Sequence, residues 1–312
     1  MNLTIASSPH IRGNCRTDKL MLDVVIALLP ALAVGTWVLG PRALAVTAVS
    51  MVSAVSAEWL YSRAAGKNNT IRDCSALVTG MLLAMTLPVS VPYGIVMLGS
   101  VSAIVFAKCM CGGLGQNVLN PALAARALLV LLFPAALTNY TAVDGISSAT
   151  PMHHMAMSAL PEISLGDMFL GRIPCSIGEV SALAVLLGGI YLIARKVISP
   201  RIPSAYLGST AVLTLIFSRT GNPIGWMLYN ILGGGLLLGA MFMATDYATS
   251  PVTAKGQILY GIGCGVLTVF FRYYGLFPEG VTYAILLMNL LTWEIDRVTM
   301  PRRFGTGKGE QA

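Results

Sequence analysis

Runs of apolar residues, separated by short polar segments, follow one another along almost the whole chain. An α-helix needs about 20 residues to cross the hydrocarbon core of a bilayer, which is roughly 30 Å thick. Lipid-facing barrel strands would alternate apolar and polar side chains, and these runs do not alternate. The pattern predicts an all-α polytopic membrane protein with about ten transmembrane helices, near residues 20–40, 43–61, 74–90, 93–109, 121–138, 177–195, 203–219, 227–245, 256–271 and 281–296.

The third and fourth of these runs are short, and a turn that contains Pro88, Ser90 and Pro92 joins them. Two interpretations fit this pattern. The runs are either full spans, as the count of ten assumes, or re-entrant or broken helices that line a site.

Composition supports the membrane assignment. Of the 312 residues, 55% are hydrophobic and 11% are charged, and the mean hydropathy of +0.74 is far too high for a soluble domain. A net charge of +7 would suit nucleic-acid binding, but fifteen of the 20 Lys and Arg residues lie in alternate connecting segments. Because cytoplasmic loops collect basic residues, this bias predicts that both termini are cytoplasmic and that the long polar segment 139–176 is extracytoplasmic. Nucleic acid is not an expected partner.

The chain also shows a weak internal likeness. The segment GMLLAMTLPVSVP from Gly80 resembles GAMFMATDYATSP from Gly239, although any two spans rich in Leu, Ala and Met look somewhat alike. Two units of five helices must be inverted relative to each other, as in urea-transporter-like folds. The predicted organisation is a cytoplasmic arm (1–19), a first five-helix repeat (20–138), an extracytoplasmic loop (139–176), a second repeat (177–296) and a cytoplasmic tail (297–312).

Glycines are concentrated in the eighth and ninth predicted helices, with Gly235–Gly239 and Gly261–Gly265 spaced as in closely packed helix pairs. Close helix packing is the simpler interpretation, and a flat ligand beside the glycines is the alternative. Cys109 and Cys111 are separated by one residue and complete no four-ligand metal site, so no metal is expected. His153 and His154 are typical of a surface loop.

Most ionisable groups in or near the predicted spans lie within a turn or two of a helix end, but Asp23 and Arg126 lie deeper. At about 1.5 Å per residue, Asp23 and Arg126 lie roughly 5 and 8 Å beyond the cytoplasmic starts of their helices. A charge in lipid is costly, so each needs a partner or a water-filled cavity, and a role in an ion path is one hypothesis.

The outer segment contains the string Asp144-Gly145-Ile146-Ser147-Ser148-Ala149-Thr150. It resembles the flavinylation sequence D-G-x-S-G-A-T of the RnfD/NqrB family of membrane subunits, with Ser148 in place of the usual Gly. The resemblance implies that Thr150 is joined through its hydroxyl to the phosphate of FMN by a flavin transferase. Asp144, Gly145, Ser147, Ser148 and Ala149 would form the sequence that the transferase reads. An ordinary Ser/Thr-rich turn is the alternative from spacing alone.

A second string, KCMCGGLGQNVLNP at residues 108–121, lies before the fifth predicted helix. Asn120 followed by Pro121 is typical of a helix N-cap with proline at the first helical position. In the RnfD/NqrB family this region lies by a noncovalent riboflavin, so the resemblance makes Asn117 and Asn120 candidate contacts of that flavin.

The resemblance covers essentially the whole chain, and the short N-terminal arm resembles the Rnf branch of the family. It implies a flavin-carrying subunit of a translocase, an ion-translocating (Na⁺ or H⁺) ferredoxin:NAD⁺ oxidoreductase in the prokaryotic inner membrane. Expected partners are membrane lipid, the transferase and the A, B, C, E and G subunits of the Rnf complex. The chain has no dinucleotide fingerprint, so it is not a complete enzyme. A solute channel or secondary transporter of urea-transporter-like fold is the alternative, and the string at 144–150 speaks against it.

Overall fold

The computed structural model describes residues 16–66, 71–138, 140, 151–161, 163–171, 175–275 and 280–301. These residues form helices and connecting turns, with no strand among them. The helices are α1 Thr17–Leu39, α2 Pro41–Ala64, α3 Ser75–Met85, α4 Tyr93–Cys109, α5 Pro121–Leu132, α6 Pro134–Thr138, α7 Pro151–Ala156, α8 Leu165–Leu170, α9 Ala182–Ala194, α10 Arg201–Ile216, α11 Pro223–Leu232, α12 Leu236–Met243, α13 Ala254–Tyr274 and α14 Val281–Thr299. The ends of α4 and α12, Ala103–Cys109 and Gly239–Met243, are π-helical.

Several of these helices suit a membrane. Within the described residues, α1, α2 and α13 are long and apolar enough to cross one, and α11 with α12 makes a fourth span if the bent pair counts as one. The helices α3, α4, α5 and α9 are apolar but shorter. The chain is therefore an all-helical protein with several membrane-type helices, and the count of ten spans stays a prediction.

Four predicted spans have the wrong bounds. The run 177–195 is helical only from Ala182. The run 74–90 is helical only as far as Met85, and the run 121–138 is interrupted at Phe133. The run 227–245 is not one helix, because it bends by 59° at Gly233–Gly235 between α11 and α12. Glycine is needed at this break for two reasons, since Gly234 and Gly235 have positive φ and an added Cβ would lie 2.6 Å from the sulfur of Met152 at Gly234 and 2.6 Å from Glu179 Oε1 at Gly235. The close-packing prediction is confirmed at Gly261, where an added Cβ would lie 2.8 Å from the carbonyl oxygen of Ile202.

The short helices α3 and α12 begin in the same way. Each follows a residue in the left-handed region, Cys74 with φ 56° and Gly235 with φ 68°. The spacing of these two residues matches the offset of about 160 in the sequence likeness. The inverted five-plus-five repeat and the domain boundaries drawn from it remain predictions.

The two halves of the chain meet in the middle of the bundle. There the segment before α9 pairs with the end of α3, with the backbone N–H of Ile177 donating to Leu87 O (3.1 Å) and that of Gly178 to Met85 O (2.8 Å). Only glycine fits at 178, because a Cβ would lie 2.7 Å from the Cβ of Met85. The contact fixes α9 against the first half, where it also packs on α1.

Arginines stack on aromatic rings at the helix ends. The pairs are Arg42 with Tyr93, Arg63 with Trp59, Arg219 with Tyr273 and Arg297 with Trp293, at 4.5–5.9 Å from guanidinium carbon to ring centre. Amphipathic rings and snorkelling cations are typical of the two membrane–water interfaces. These pairs therefore agree with helices that end at headgroup level.

Asp23 has hydrogen-bond and charge partners, as a charged residue inside a predicted span requires. Its carboxylate accepts a hydrogen bond from the hydroxyl of Tyr191 (3.0 Å) and lies 3.4 Å from the guanidinium of Arg195, both at the end of α9. Arg126 is buried beside a small cavity of about 10 Å³, which Glu179, Thr86 and Gly235 also line. A cavity of that size holds about one water molecule.

Candidate functional site

A cavity opens where the starts of α1, α3 and α5 meet the ends of α4, α9 and α12. The space in which the centre of a water molecule can lie has a volume of about 80 Å³. All the space between atoms, including the open mouth of the cavity, is about 800 Å³. Its wall is mostly apolar, with a few convergent polar groups, as in small-molecule sites. The polar residues in the wall are Ser75, Thr79, Lys108, Asn117, Asn120, Thr245 and Asp246.

Both π-helical segments supply residues to this wall. Lys108 comes from the π-helical end of α4 and Phe242 from that of α12. A π-helical turn shifts the side chains that follow it relative to a regular α-helix, and such turns are frequent at functional sites. The two shifts place an ammonium group and an aromatic ring in the wall of the same cavity.

Lys108 belongs to a buried ion pair. Its Nζ donates to Glu58 Oε1 on α2 at 2.6 Å and to Ser75 Oγ at the start of α3 at 2.7 Å. Lys108 is 3% exposed and Glu58 is 1% exposed. The sequence pattern counted Lys108 among the loop cations that set the orientation, and that interpretation is wrong because the side chain turns into the protein.

Asn120 caps α5, as the sequence predicts. Its Oδ1 accepts from the backbone N–H of Ala122 (3.1 Å) and Leu123 (3.4 Å), and its Nδ2 donates to Met243 O at the end of α12 (3.2 Å). The bond to Met243 O holds the first half of the chain against the second. Asn120 is 3% exposed, and its amide is already engaged in these bonds. Asn120 therefore shapes the cavity wall chiefly as a structural cap.

Asn117 is different, although it lines the same cavity. It is buried, and its Nδ2 donates to Leu119 O at 3.4 Å. Its Oδ1 is buried and has no hydrogen-bond partner among the described residues. An unpartnered buried acceptor is costly unless a ligand or water satisfies it. Asn117 is thus the stronger of the two predicted ligand contacts.

The opposite side of the cavity carries a carboxyl group. Asp246 follows α12, and burial raises its pKa above the usual range, although hydrogen bonds from the Thr249 hydroxyl and the backbone N–H groups of Ala248 and Tyr247 act in the other direction. The Thr249 Oγ1 to Asp246 Oδ2 distance is 3.2 Å. The cavity therefore lies between a buried ammonium group and a carboxyl group whose pKa is raised by burial.

The predicted attachment sequence, Asp144, Gly145, Ser147, Ser148, Ala149 and Thr150, lies outside the described residues. The structure resumes at α7, directly after Thr150. Met152 and Met155 of α7 are buried against Trp226 and Tyr229 of α11. His153 and His154 are exposed, and no group of metal-binding side chains occurs among the residues that the structure describes.

The cavity and the base of α7 lie at opposite ends of α1. Leu20 and Met21 line the cavity, whereas Val38 and Leu39 pack against the cluster that contains Met152. At about 1.5 Å per residue, Leu20 and Val38 are roughly 27 Å apart along the helix axis, close to the thickness of a hydrocarbon core.

Sequence reasoning missed the Glu58–Lys108 pair. The two residues are fifty positions apart, and the sequence pattern placed Glu58 near the end of a helix and Lys108 among the basic residues of a cytoplasmic segment. The available signal was that Lys108 precedes Cys109 within an apolar run, so that its side chain has little room to reach water. Only the packing of α2 against α4 shows that the two charges meet.

Comparison with known proteins gives the family. A sequence model of the NQR2, RnfD, RnfE family matches residues 4–305. The D subunit of the Na⁺-translocating ferredoxin:NAD⁺ oxidoreductase complex of Acetobacterium woodii is 46% identical, over 99% of this chain and 97% of that protein. The D subunit of the proton-translocating complex of Clostridium ljungdahlii is 42% identical, over 97% and 96%. The D subunit of the ion-translocating oxidoreductase complex of Stutzerimonas stutzeri is 36% identical, over 92% of each. The chain therefore belongs to the NQR2, RnfD, RnfE family.

Proposed function

We propose that the chain is the D subunit of a membrane-bound, ion-translocating ferredoxin:NAD⁺ oxidoreductase and that it carries electrons across the bilayer on two flavins. Relatives with that name cover nearly its full length. The other subunits of the complex handle ferredoxin and NAD⁺, because this chain has no dinucleotide fingerprint. The family match leaves the alternative of a solute channel without support.

The outer flavin is FMN, joined covalently to Thr150. A threonine hydroxyl is a poor nucleophile until a base activates it, so a transferase must make the phosphoester. The tether then keeps the flavin at high effective concentration beside the membrane. The observation that carries the proposal is that α7, which follows Thr150 directly, is fixed by Met152 at the end of α1 farthest from the cavity. This placement supports an extracytoplasmic Thr150.

The inner flavin is riboflavin, bound without a covalent bond in the cavity. The residues present fit such a ligand, because Asn117 offers an unpartnered amide oxygen, Lys108 an ammonium group and Phe242 a ring within an otherwise apolar wall. When bound, the flavin supplies a carrier that accepts and releases electrons. The chain's own groups orient its polar edge and exclude bulk water.

The first test is loss of covalent flavin. The chain is expressed with its flavin transferase, denatured, and viewed under ultraviolet light in a gel. We expect a fluorescent band for the native sequence and none for Thr150→Val. Thr141→Val, a matched change in the same loop, should keep the band. Fluorescence that persists in Thr150→Val would move the attachment to another residue, and a dark native band would remove the outer flavin.

The names of the relatives leave the transported cation open, since one is named for Na⁺ and the other for protons. Dependence of NAD⁺ reduction on Na⁺ in vesicles that contain the whole complex would identify a Na⁺ pump. Activity without Na⁺, together with acidification of the vesicle lumen, would identify a proton pump.

A further inference from the structure

We infer that Lys108 is a positioning residue whose buried ammonium group makes the flavin in the cavity easier to reduce. This inference rests on the proposed riboflavin site and goes beyond it, because it assigns a role to a side chain that neither the motif nor the family match indicates. It follows from the way the buried ion pair is oriented.

The pair presents its positive end to the cavity. Lys108 and its hydroxyl partner Ser75 line the cavity wall, whereas Glu58, whose Oε1 lies 2.6 Å from Lys108 Nζ, does not. Two of the three ammonium N–H groups are used by Glu58 and Ser75, and the third has no partner among the described residues. The ammonium group of Lys108 is therefore exposed to a ligand in the cavity, whereas the carboxylate of Glu58 lies behind it.

Burial makes this charge effective. Lys108 is 3% exposed, so water and salt screen it far less than they screen a surface lysine. The pair is also fixed, since its members and their hydroxyl partner come from three helices, α2, α3 and α4. A cation held in place favours whichever state of a ligand carries more negative charge.

A flavin that takes up two electrons and one proton gains one negative charge, located on its pyrimidine ring. Lys108 should therefore increase the affinity of the cavity for reduced riboflavin relative to oxidised riboflavin. The two affinities and the reduction potential are linked, so that a tenfold change in the affinity ratio equals about 30 mV for a two-electron couple.

The test uses the full-length chain with Thr150→Val, so that any retained flavin is noncovalent. The purified protein is loaded with riboflavin and titrated with dithionite, and the affinity ratio of reduced to oxidised flavin is obtained from the midpoint potential. Lys108→Gln should lower the ratio at least tenfold, and Lys108→Arg should keep it within about threefold. Glu58→Gln should raise the ratio, because it removes the counter-charge and keeps the cation. Lys255→Gln, an exposed lysine outside the cavity wall, should leave it unchanged.

Opposite shifts for Lys108→Gln and Glu58→Gln would support the inference, because a purely structural role would move both variants in the same direction. Shifts of the same sign, or an unchanged ratio in Lys108→Gln, would overturn it and leave the riboflavin site standing. A native chain that retains no riboflavin would instead overturn the inner-flavin proposal itself. If Lys108→Gln does not fold because the buried Glu58 loses its lysine partner, the double variant Glu58→Gln/Lys108→Gln removes both charges and should still lower the ratio, since Lys108 lines the cavity and Glu58 does not.

Discussion

Among single residues, Asp246 shows how the cavity handles charge. Its carboxyl lies at the end of α12, where burial raises its pKa. The folded protein therefore binds a proton at Asp246 more tightly than the unfolded chain does, so protonation of this carboxyl raises the free energy of unfolding. This stabilisation is complete below the pKa that Asp246 has in the unfolded chain, and it is lost as the pH rises through the pKa that Asp246 has in the folded protein.

We therefore predict that Asp246→Asn makes the protein more heat-stable than the native chain at pH 8 and that this advantage shrinks as the pH falls towards 5. The asparagine keeps an oxygen that can accept from the Thr249 hydroxyl but carries no charge. Thermal unfolding in detergent at both pH values measures the difference. Asp296→Asn, at a half-buried carboxylate that accepts from the backbone N–H groups of Val252 and Thr253 before α13, is the comparison. An advantage for Asp246→Asn that is equal at the two pH values would contradict the argument.

At the scale of elements, the break between α11 and α12 organises the end of the bundle where α7 packs. Helix ends leave carbonyl groups without helical partners, and here Arg272 of α13 satisfies them. Its guanidinium donates to the carbonyl oxygens of Asn230, Gly233 (3.0 Å) and Gly234 (3.4 Å). Arg272 can therefore be buried in the bundle, because the interrupted helix leaves backbone carbonyl oxygens free to accept its hydrogen bonds. In a continuous helix those oxygens would accept from the backbone of the helix itself.

The same break positions α7. Gly234 has φ +64°, and a Cβ there would lie 2.6 Å from the sulfur of Met152 and 2.8 Å from Arg272 Nη2. We predict that Gly234→Ala costs roughly 1–2 kcal/mol for the left-handed backbone alone and displaces Met152 as well. Thermal unfolding of the two alanine variants checks this, because Gly208→Ala, in the open face of α10, should be neutral or slightly stabilising. Equal effects of the two substitutions would refute the account.

At the scale of the whole molecule, the exposed surface is rich in large apolar side chains. Side chains on the outside of the bundle include Trp37 (90% exposed), Val52 (68%), Phe106 (62%) and Leu131 (71%). Extensive exposed apolar surface marks a membrane or protein interface. Since α1 links the cavity with the base of α7, the two proposed flavin sites must face opposite aqueous phases if α1 spans the bilayer.

This arrangement predicts the labelling of two cysteine positions. In a chain with Cys15, Cys74 and Cys111 changed to Ser, Met157→Cys at the exposed end of α7 should react with an impermeant maleimide in intact cells. A chain that keeps only Cys111 of these three, exposed beside the cavity end of α4, should react only in inside-out vesicles. Reaction of both positions from the same side would contradict the two-sided arrangement.

Much of this architecture follows from local signals. Apolar runs located the long helices α1, α2 and α13, because a helix that crosses lipid must be apolar along its whole length. The Asn120-Pro121 pair located the start of α5, because an N-cap depends on neighbours a few residues away. The break at Gly233–Gly235 was missed, since glycine in an apolar run is typical both of packing and of an interruption.

What the sequence determines by itself is therefore the membrane character and the family, and it alone carries the prediction of the attachment sequence, since each depends on composition or on residues close together in the chain. The tertiary structure alone decides that Lys108 meets Glu58, that Asn117 keeps an unpartnered oxygen in the wall of the cavity and that Arg272 closes a helix break. These contacts join residues dozens of positions apart. Their energies depend on burial and on distances of about 3 Å, which arise only when the helices pack.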